Sequence, residues 1–243
     1  LPILVKNTRP DIEYAVHQCA RYQNDPKKPH EYAVKRICRY LLNTKDKGIS
    51  YTPNGNLTDI DAYVDADFCG TFNKNTPEDP NGCRSRTGYV IFFNGCPIIW
   101  KSKLQTEIAL STTEAEYIAL SQSARDLIPF RELLIEMSKV FNLPGSKTTI
   151  KCTIFEDNEG AKELARTAKY RPRTKHIAVK YHHFRKHVSD GHFIINSIDT
   201  KDQKADTFTK PLPKVQFEAL RYQIQGWFTI LQNMINITTD NQT

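Results

Sequence analysis

No window of the 243-residue chain approaches the roughly 20 consecutive apolar residues that a membrane-spanning helix needs, and the basic-then-apolar opening of a secretory leader is missing. A membrane is therefore not an expected partner. The six cysteines, Cys19, Cys38, Cys69, Cys83, Cys96 and Cys152, include no C-x-x-C pair. That argues against a zinc ribbon and favours a reduced, intracellular setting in which the thiols act as small hydrophobes. The H-E-x-x-H pattern is also lacking, and no Asp or Glu falls between Arg166 and Ser189. The neighbouring His176, His182, His183 and His187 thus lack the carboxylate that a zinc hydrolase would use. Internal repeats and low-complexity segments are absent too. What remains is a chain long enough to bury a core unaided, as one large domain or two modest ones. A start at Leu1 rather than Met reads as a piece excised from a longer product.

The net charge of +7 favours polyanionic partners. Its distribution is more informative. Arg166, Lys169, Arg171, Arg173, Lys175, Lys180, Arg185 and Lys186 cluster with Tyr170, Tyr181 and Phe184 interleaved. A solvated helix face is the common fate of such a run, but here phosphate binding is the favoured reading.

Hydrophobic periodicity predicts a helical hairpin over residues 1–47, with Thr8 as a cap and a second helix ending near Asn43. Ile49 and Tyr51 suggest a short strand, and Pro53-Asn54-Gly55-Asn56 marks a domain boundary. After a strand ending near Asp65, residues 70–86 read as a long exposed loop. Tyr89–Phe93 and Cys96–Trp100 then form a hairpin through Asn94-Gly95. Ser111 and Glu114 give a capping-box pattern for a helix, and Phe130, Leu133, Leu134, Met137, Val140 and Phe141 make the core stripe of another, stopped by Pro144-Gly145. A strand over 150–155, helices over 158–168 and 176–190, a strand over 193–198 and a loosely held tail from Thr229 complete the reading. The fold class is α/β, a mixed five-stranded sheet flanked by helices and preceded by a small helical segment.

Four acids stand inside these patterned segments. Asp65 ends the apolar run Tyr63-Val64, Asp157 ends the run from Cys152 to Glu156, Glu116 lies in the first turn after Ser111, and Asp206 stands in a short helix before Pro211. Taken together they read as one site for Mg²⁺ or Mn²⁺, which take hard oxygen ligands. Glu114 reads as a cap. Asp67 and Glu156 read as structural, because strand alternation sends Glu156 to the face opposite Asp157.

The same segments carry a family resemblance. Tyr63-Val64-Asp65-Ala66-Asp67-Phe68, Ser85-Arg86-Thr87-Gly88-Tyr89, Ala109 through Tyr117, Asp157-Asn158-Glu159-Gly160-Ala161, Arg173-Thr174-Lys175-His176-Ile177 and Ala205-Asp206 followed by Thr209-Lys210-Pro211-Leu212-Pro213 recur in the order of the ribonuclease H region of copia-type retrotransposon polyproteins. Asn7 through Ile12 and Ala33 through Leu41 resemble the end of the preceding reverse transcriptase. The polymerase's own Tyr-x-Asp-Asp signature is absent.

The resemblance implies residues 1–56 from the reverse transcriptase end, a ribonuclease H domain over 57–213, and a C-terminal helix and tail over 214–243. It implies two Mg²⁺ ions, replaceable by Mn²⁺, with Asp65 shared between them, Glu116 and Asp157 holding one and Asp206 completing the other. The expected reaction is hydrolysis of the RNA strand of RNA–DNA hybrids, leaving a 3′-hydroxyl and a 5′-phosphate. The expected partners are the hybrid and the polymerase domain of the parent polyprotein, in cytoplasmic virus-like particles and the nucleus. Lys169, Arg171, Arg173, Lys175 and His176 are the expected phosphate contacts, with Thr112 and Asn158 as donors to 2′-hydroxyls. In cellular ribonucleases H a histidine before the last acid assists turnover. Residues 198–203 hold none, and His176 is the candidate substitute. The rival readings are a weakly cleaving, hybrid-binding module and a different nuclease on the same fold.

Overall fold

Ile60, Ala62, Val64 and Ala66 are buried along β1 (Asp59–Asp67), the period of two that a strand with one face on a core requires. The computed structural model describes residues 1–53, 58–72, 82–142, 150–167 and 182–226. β1 is the middle of a five-stranded sheet. β2 (Arg86–Phe93) pairs antiparallel with it, and β3 (Cys96–Leu104) antiparallel with β2. On the other side β4 (Lys151–Glu156) is parallel to β1 and β5 (Phe193–Ser197) parallel to β4. The order β3-β2-β1-β4-β5 gives the mixed, helix-flanked sheet of a ribonuclease H-like fold. The β2–β3 turn uses Asn94 at φ 52 and Gly95 at φ 77, two positive angles that this dipeptide tolerates best.

One face of the sheet packs on α4 (Thr112–Val140), α5 (Glu159–Arg166) and the short α6 (Arg185–Ser189), with Tyr117, Leu120, Leu127 and Phe184 fully buried there. Val90 and Phe92 on the opposite face meet α7 (Asp206–Thr209) and α8 (Lys214–Ile224). The N-terminal helices α1 (Pro2–Asn7), α2 (Glu13–Ala20) and α3 (Lys28–Asn43) form their own small core of Val5, Ile12, Val16 and Ile37 beside this second face. The Trp100 indole of β3 donates to the Val5 carbonyl at 2.9 Å, tying the two together.

Several expectations need correction. Thr8 does not start the helix that follows: it closes α1, its backbone N–H donating to the Leu4 carbonyl, and a 3-10 turn, Pro10–Ile12, precedes α2. Ile49 and Tyr51 lie outside any strand, and Ser50 instead donates its backbone N–H to the Gln225 carbonyl at 2.8 Å. The expected pair of helices after Ser111 is one 29-residue helix that passes through Pro129. Proline there removes the bond to the Arg125 carbonyl, but packing of Leu127, Phe130 and Leu134 on the core carries the helix across. Of the expected core stripe, Phe130 and Leu134 pack inward while Leu133, Met137, Val140 and Phe141 are exposed. Residues 82, 85 and 86 are buried, so the described part of the loop before β2 is not wholly exposed. Cys38 is exposed rather than buried. Of the helix expected over 176–190, residues 176–181 fall outside the described residues, and in the rest only Arg185–Ser189 is α-helical. The proposed boundary at 53–56, the Pro144-Gly145 stop and the tail from Thr229 fall mainly or wholly outside the described residues.

Candidate metal centre

Gly88 is directly opposite Asp65 in the β1–β2 register. A β-carbon at Gly88 would come within 2.6 Å of Thr209 and 2.8 Å of Phe208, so only glycine lets α7 settle against the sheet at this point. The seating brings the Thr209 hydroxyl into a hydrogen bond with Asp65 Oδ2 and sets Asp206 beside the same strand end. Gly160 does the equivalent for α5. A β-carbon there would lie 2.8 Å from Thr113 Oγ1, in the first turn of α4. Close contact between these two helix starts draws Asp157, just before α5, towards Glu116.

Asp65, Glu116 and Asp157 thereby offer carboxylate oxygens that all lie within 4.8 Å of one another. Asp65 and Glu116 are buried and Asp157 half-buried. The Ala66 backbone N–H donates to Glu116, and the Thr200 hydroxyl donates to Asp157 Oδ2 at 2.9 Å. Asp206, 1% exposed, faces Lys210 Nζ at 2.8 Å and interacts with Asp65 and Asp157. The four acids therefore meet at one end of the sheet, from two strand ends and two helices on opposite faces.

Glu156 is a fifth carboxylate of this corner. It is 0% exposed, not solvated. β4 ends at Glu156, so alternation does not reach Asp157, which lies beyond the strand. The Asn158 N–H donates to Glu156 Oε1 at 3.1 Å. Among the described residues, Glu156 Oε2 and Glu116 Oε2 are buried with no hydrogen-bond partner.

Crowded anions away from water resist ionisation. Burial, and after it the charge of Asp206, pushes the Asp65 carboxyl up to about 7. Burial and then Glu156 hold Glu116 well above the usual carboxylate range, and burial does the same to Glu156. Asp206 is raised by burial despite its bond to Lys210. For Lys210, burial works to lower the pKa, but Asp65 and Asp206 outweigh it and the net shift is upward. A divalent cation suits such a donor set: all oxygen, anionic, and with lone pairs on Glu116 and Glu156 that no protein group satisfies.

Gln203 was not singled out in the sequence, yet it anchors the segment before α7. Its side chain is fully buried and donates to the carbonyls of Val64 at 2.8 Å and Phe155 at 3.4 Å, one on each strand that leads to an acid. A lone Gln in a polar stretch gives no signal of this. Thr112 is exposed in the first turn of α4. Asn158 caps α5, its Oδ1 accepting from the Ala161 N–H at 3.0 Å, which leaves its amide nitrogen as the donor. Lys169, Arg171, Arg173, Lys175 and His176 lie outside the described residues. Of the same basic run, Arg166 donates to the Ile195 carbonyl and Arg185 stacks over Tyr117. His182 bonds the Tyr117 hydroxyl at 2.6 Å, and His187 stacks on Phe193.

Comparison with known proteins places this geometry in a lineage. No protein-family model matches the chain. The retrovirus-related Pol polyprotein from transposon RE2 of Arabidopsis thaliana is 36% identical over 211 residues, covering 87% of this chain and 13% of that protein. The corresponding polyprotein from transposon TNT 1-94 of Nicotiana tabacum is 37% identical over the same length, 87% of this chain and 14% of that protein. The chain thus spans only about an eighth to a seventh of the curated relatives it matches. Among solved structures, LC11-RNase H1 isolated from compost aligns over 63% of this chain and 93% of its own at 18% identity, with a TM-score of 0.41. A superposition at that score carries no weight beside the strand order and register. The copia-type landmarks and the identity across most of the chain agree: it belongs to the Pol polyproteins of copia-type LTR retrotransposons, as a segment containing a ribonuclease H-like domain.

Proposed function

We propose that this segment is a metal-dependent ribonuclease H that hydrolyses the RNA strand of RNA–DNA hybrids during reverse transcription. The observation that carries the reading is the meeting of Asp65, Glu116 and Asp157 within 4.8 Å, from three separate elements, with buried carboxylate oxygens left unsatisfied. Asp65 would be shared by two Mg²⁺ or Mn²⁺ ions, Glu116 and Asp157 would hold one, and Asp206 would complete the other. When bound, such a pair activates water and neutralises charge on the attacking and leaving oxygens of the phosphodiester. The chain's own groups set this up in advance. Thr209 and Thr200 fix the rotamers of Asp65 and Asp157, Gln203 holds both strand ends to the segment before α7, and Lys210 offsets part of the negative charge. Thr112 and Asn158 are proposed to read 2′-hydroxyls, and Lys169, Arg171, Arg173, Lys175 and His176 to hold phosphates.

We further read residues 1–56 as the reverse transcriptase end, 57–213 as the ribonuclease H domain and 214–243 as its C-terminal extension. The polymerase domain of the parent polyprotein is the proposed protein partner, inside cells, in cytoplasmic particles and the nucleus. Among the described residues no helix is long and apolar enough to cross a membrane. The absence of histidine in residues 198–203 favours slow turnover, and its limit is a module that binds hybrid with little cleavage.

The test is cleavage of an end-labelled RNA–DNA hybrid with Mg²⁺ or Mn²⁺, run beside a chelator control and Asp157→Asn. Products ending in 3′-hydroxyls that vanish in both controls, while the variant still binds hybrid, are the expected result. Binding without cleavage in the native chain would leave the binding module. Undiminished cleavage by the variant would remove Asp157 from the site.

A further inference from the structure

We propose that a shallow basic basin between β3 and α4 seats one backbone phosphate of the nucleic acid, at a distance from the cutting centre; the inference rests on the hybrid-cleaving reading above. The basin is about 200 Å³ in volume and is lined by Lys101, Lys103, Thr106, Gln122, Arg125 and Asp126, with Tyr89 as its floor.

Charge balance is the first argument. Asp126 is already satisfied, accepting from the Tyr89 hydroxyl and from Lys101 Nζ at 3.1 Å, so its negative charge is matched by Lys101. Lys103 and Arg125 are exposed, and among the described residues neither belongs to an ion pair. A concave surface thus presents two uncompensated cations, with Thr106 and Gln122 as neutral donors at its edge. A phosphate, with several strong acceptor oxygens and a fixed charge, fits that donor set.

Position is the second. Lys103 pairs with Thr87, and Thr87 pairs with Ala66, the residue after Asp65. Lys103 therefore stands level with the acids and two strands away, roughly 10 Å by strand spacing. Arg125 follows Glu116 by nine residues on the same helix, about 13 Å along its axis. At about 3.4 Å of rise per nucleotide along a strand, those separations correspond to roughly three or four nucleotides from the scissile phosphate. The basin would then extend the grip of the protein beyond the reacting bond without reading sequence.

The experiment uses the full chain and measures hybrid affinity by fluorescence anisotropy in chelator, across a salt series, with cleavage assayed in parallel. Lys103→Ala/Arg125→Ala should weaken binding roughly tenfold and lower the log–log salt slope by about 0.9, the loss of one phosphate contact. Because both side chains are exposed, thermal unfolding should be unchanged, which separates a binding effect from misfolding. Asp126→Asn should tighten binding by releasing Lys101. Native affinity and slope in the double variant, with native cleavage intact, would overturn the basin and leave the catalytic reading standing. A weakened double variant in a chain that binds but does not cut would keep the basin and sink the catalytic reading. A native chain that neither binds nor cuts hybrid would overturn both.

Discussion

Asp11 and Asp65 are both buried carboxylates, but their surroundings are opposite. At the junction of the N-terminal helices with α8, Arg9 grips Asp11 through two bonds of 2.9 and 2.8 Å, the Tyr40 hydroxyl donates at 2.6 Å and Gln225 at 3.3 Å. Arg9 also donates to the Thr44 carbonyl at 2.9 Å, and Arg221 donates to Tyr40 at 2.9 Å. At the sheet end, Asp65 has Thr209 as hydrogen-bond partner and Asp206, Asp157 and Glu116 as neighbours, with Lys210 as the nearby cation. Asp11 itself is matched by a guanidinium and two further donors, although Arg221 Nε and Gln225 Oε1 around it have no partner among the described residues; Asp65 stands in a cluster short of positive charge. The contrast separates a buried carboxylate matched by the protein's own cations from buried acids of the kind the proposed metal site would use. A carboxylate already paired with a guanidinium gains nothing from a further cation, whereas a cluster of acids would be relieved by one.

The largest expected break is Asp65→Asn. Cleavage should fall at least about a thousandfold, near 4 kcal/mol of barrier. The metal-free protein should nevertheless melt higher at pH 8, because a buried carboxylate that resists ionisation has been removed. Lower melting in that variant would show Asp65 to be satisfied already.

Next in size is Asp11→Ala, which strands Arg9 and should cost about 3–5 kcal/mol in urea unfolding. Metal affinity of the folded protein should not change. Replacing Arg9 and Asp11 together with Met and Leu should cost much less, and equal costs would show that the pair is not acting as a unit.

Metal should also stabilise in a pH-dependent way. The Asp65 carboxyl in the folded protein, at about 7, lies above its ordinary value, so the metal-free fold binds more protons than the unfolded chain between about pH 4 and 7 and loses stability as pH rises through that window. Cations compete with those protons. The rise in melting temperature on adding Mg²⁺ should therefore be larger at pH 8 than at pH 6, and equal rises would place the ion elsewhere.

The smallest effect concerns the N-terminal helices. His17 is held near 4 by burial and then by Arg86, whose guanidinium is 3.0 Å from its ring. A lowered histidine contributes stability above its ordinary pKa of about 6.5 that is lost as pH falls towards 4. Protection factors of α2 amides, which correct for the slower intrinsic exchange in acid, should fall over that range in the native chain and less so in His17→Gln.

Much of this molecule was legible in its sequence because the signals were local. Apolar runs placed β1 and β4 and Asn94-Gly95 fixed the hairpin, while the acids stand close to strand ends and helix starts, with Glu116 one residue past the first turn of α4 where the first turn was expected. What stayed hidden depends on contacts distant in sequence. Gln203 reaches Val64 across 139 residues, and Gly88 and Gly160 matter through helices that only the fold brings near them. The complete burial of Glu156 beside Glu116 is equally invisible in a run of strand residues. The Arg9–Asp11 junction is hidden as well, since nothing in Arg9 or Asp11 announces Tyr40 or Gln225 as partners.

The most direct test of the acid cluster is calorimetric titration of Mn²⁺ into the full chain near neutral pH, in buffers of different ionisation heat. Saturable binding with release of protons, abolished in Asp65→Asn/Glu116→Gln and unchanged in Arg9→Met/Asp11→Leu, is the predicted result. Absence of binding in the native chain, or binding that survives loss of both acids, would contradict the account.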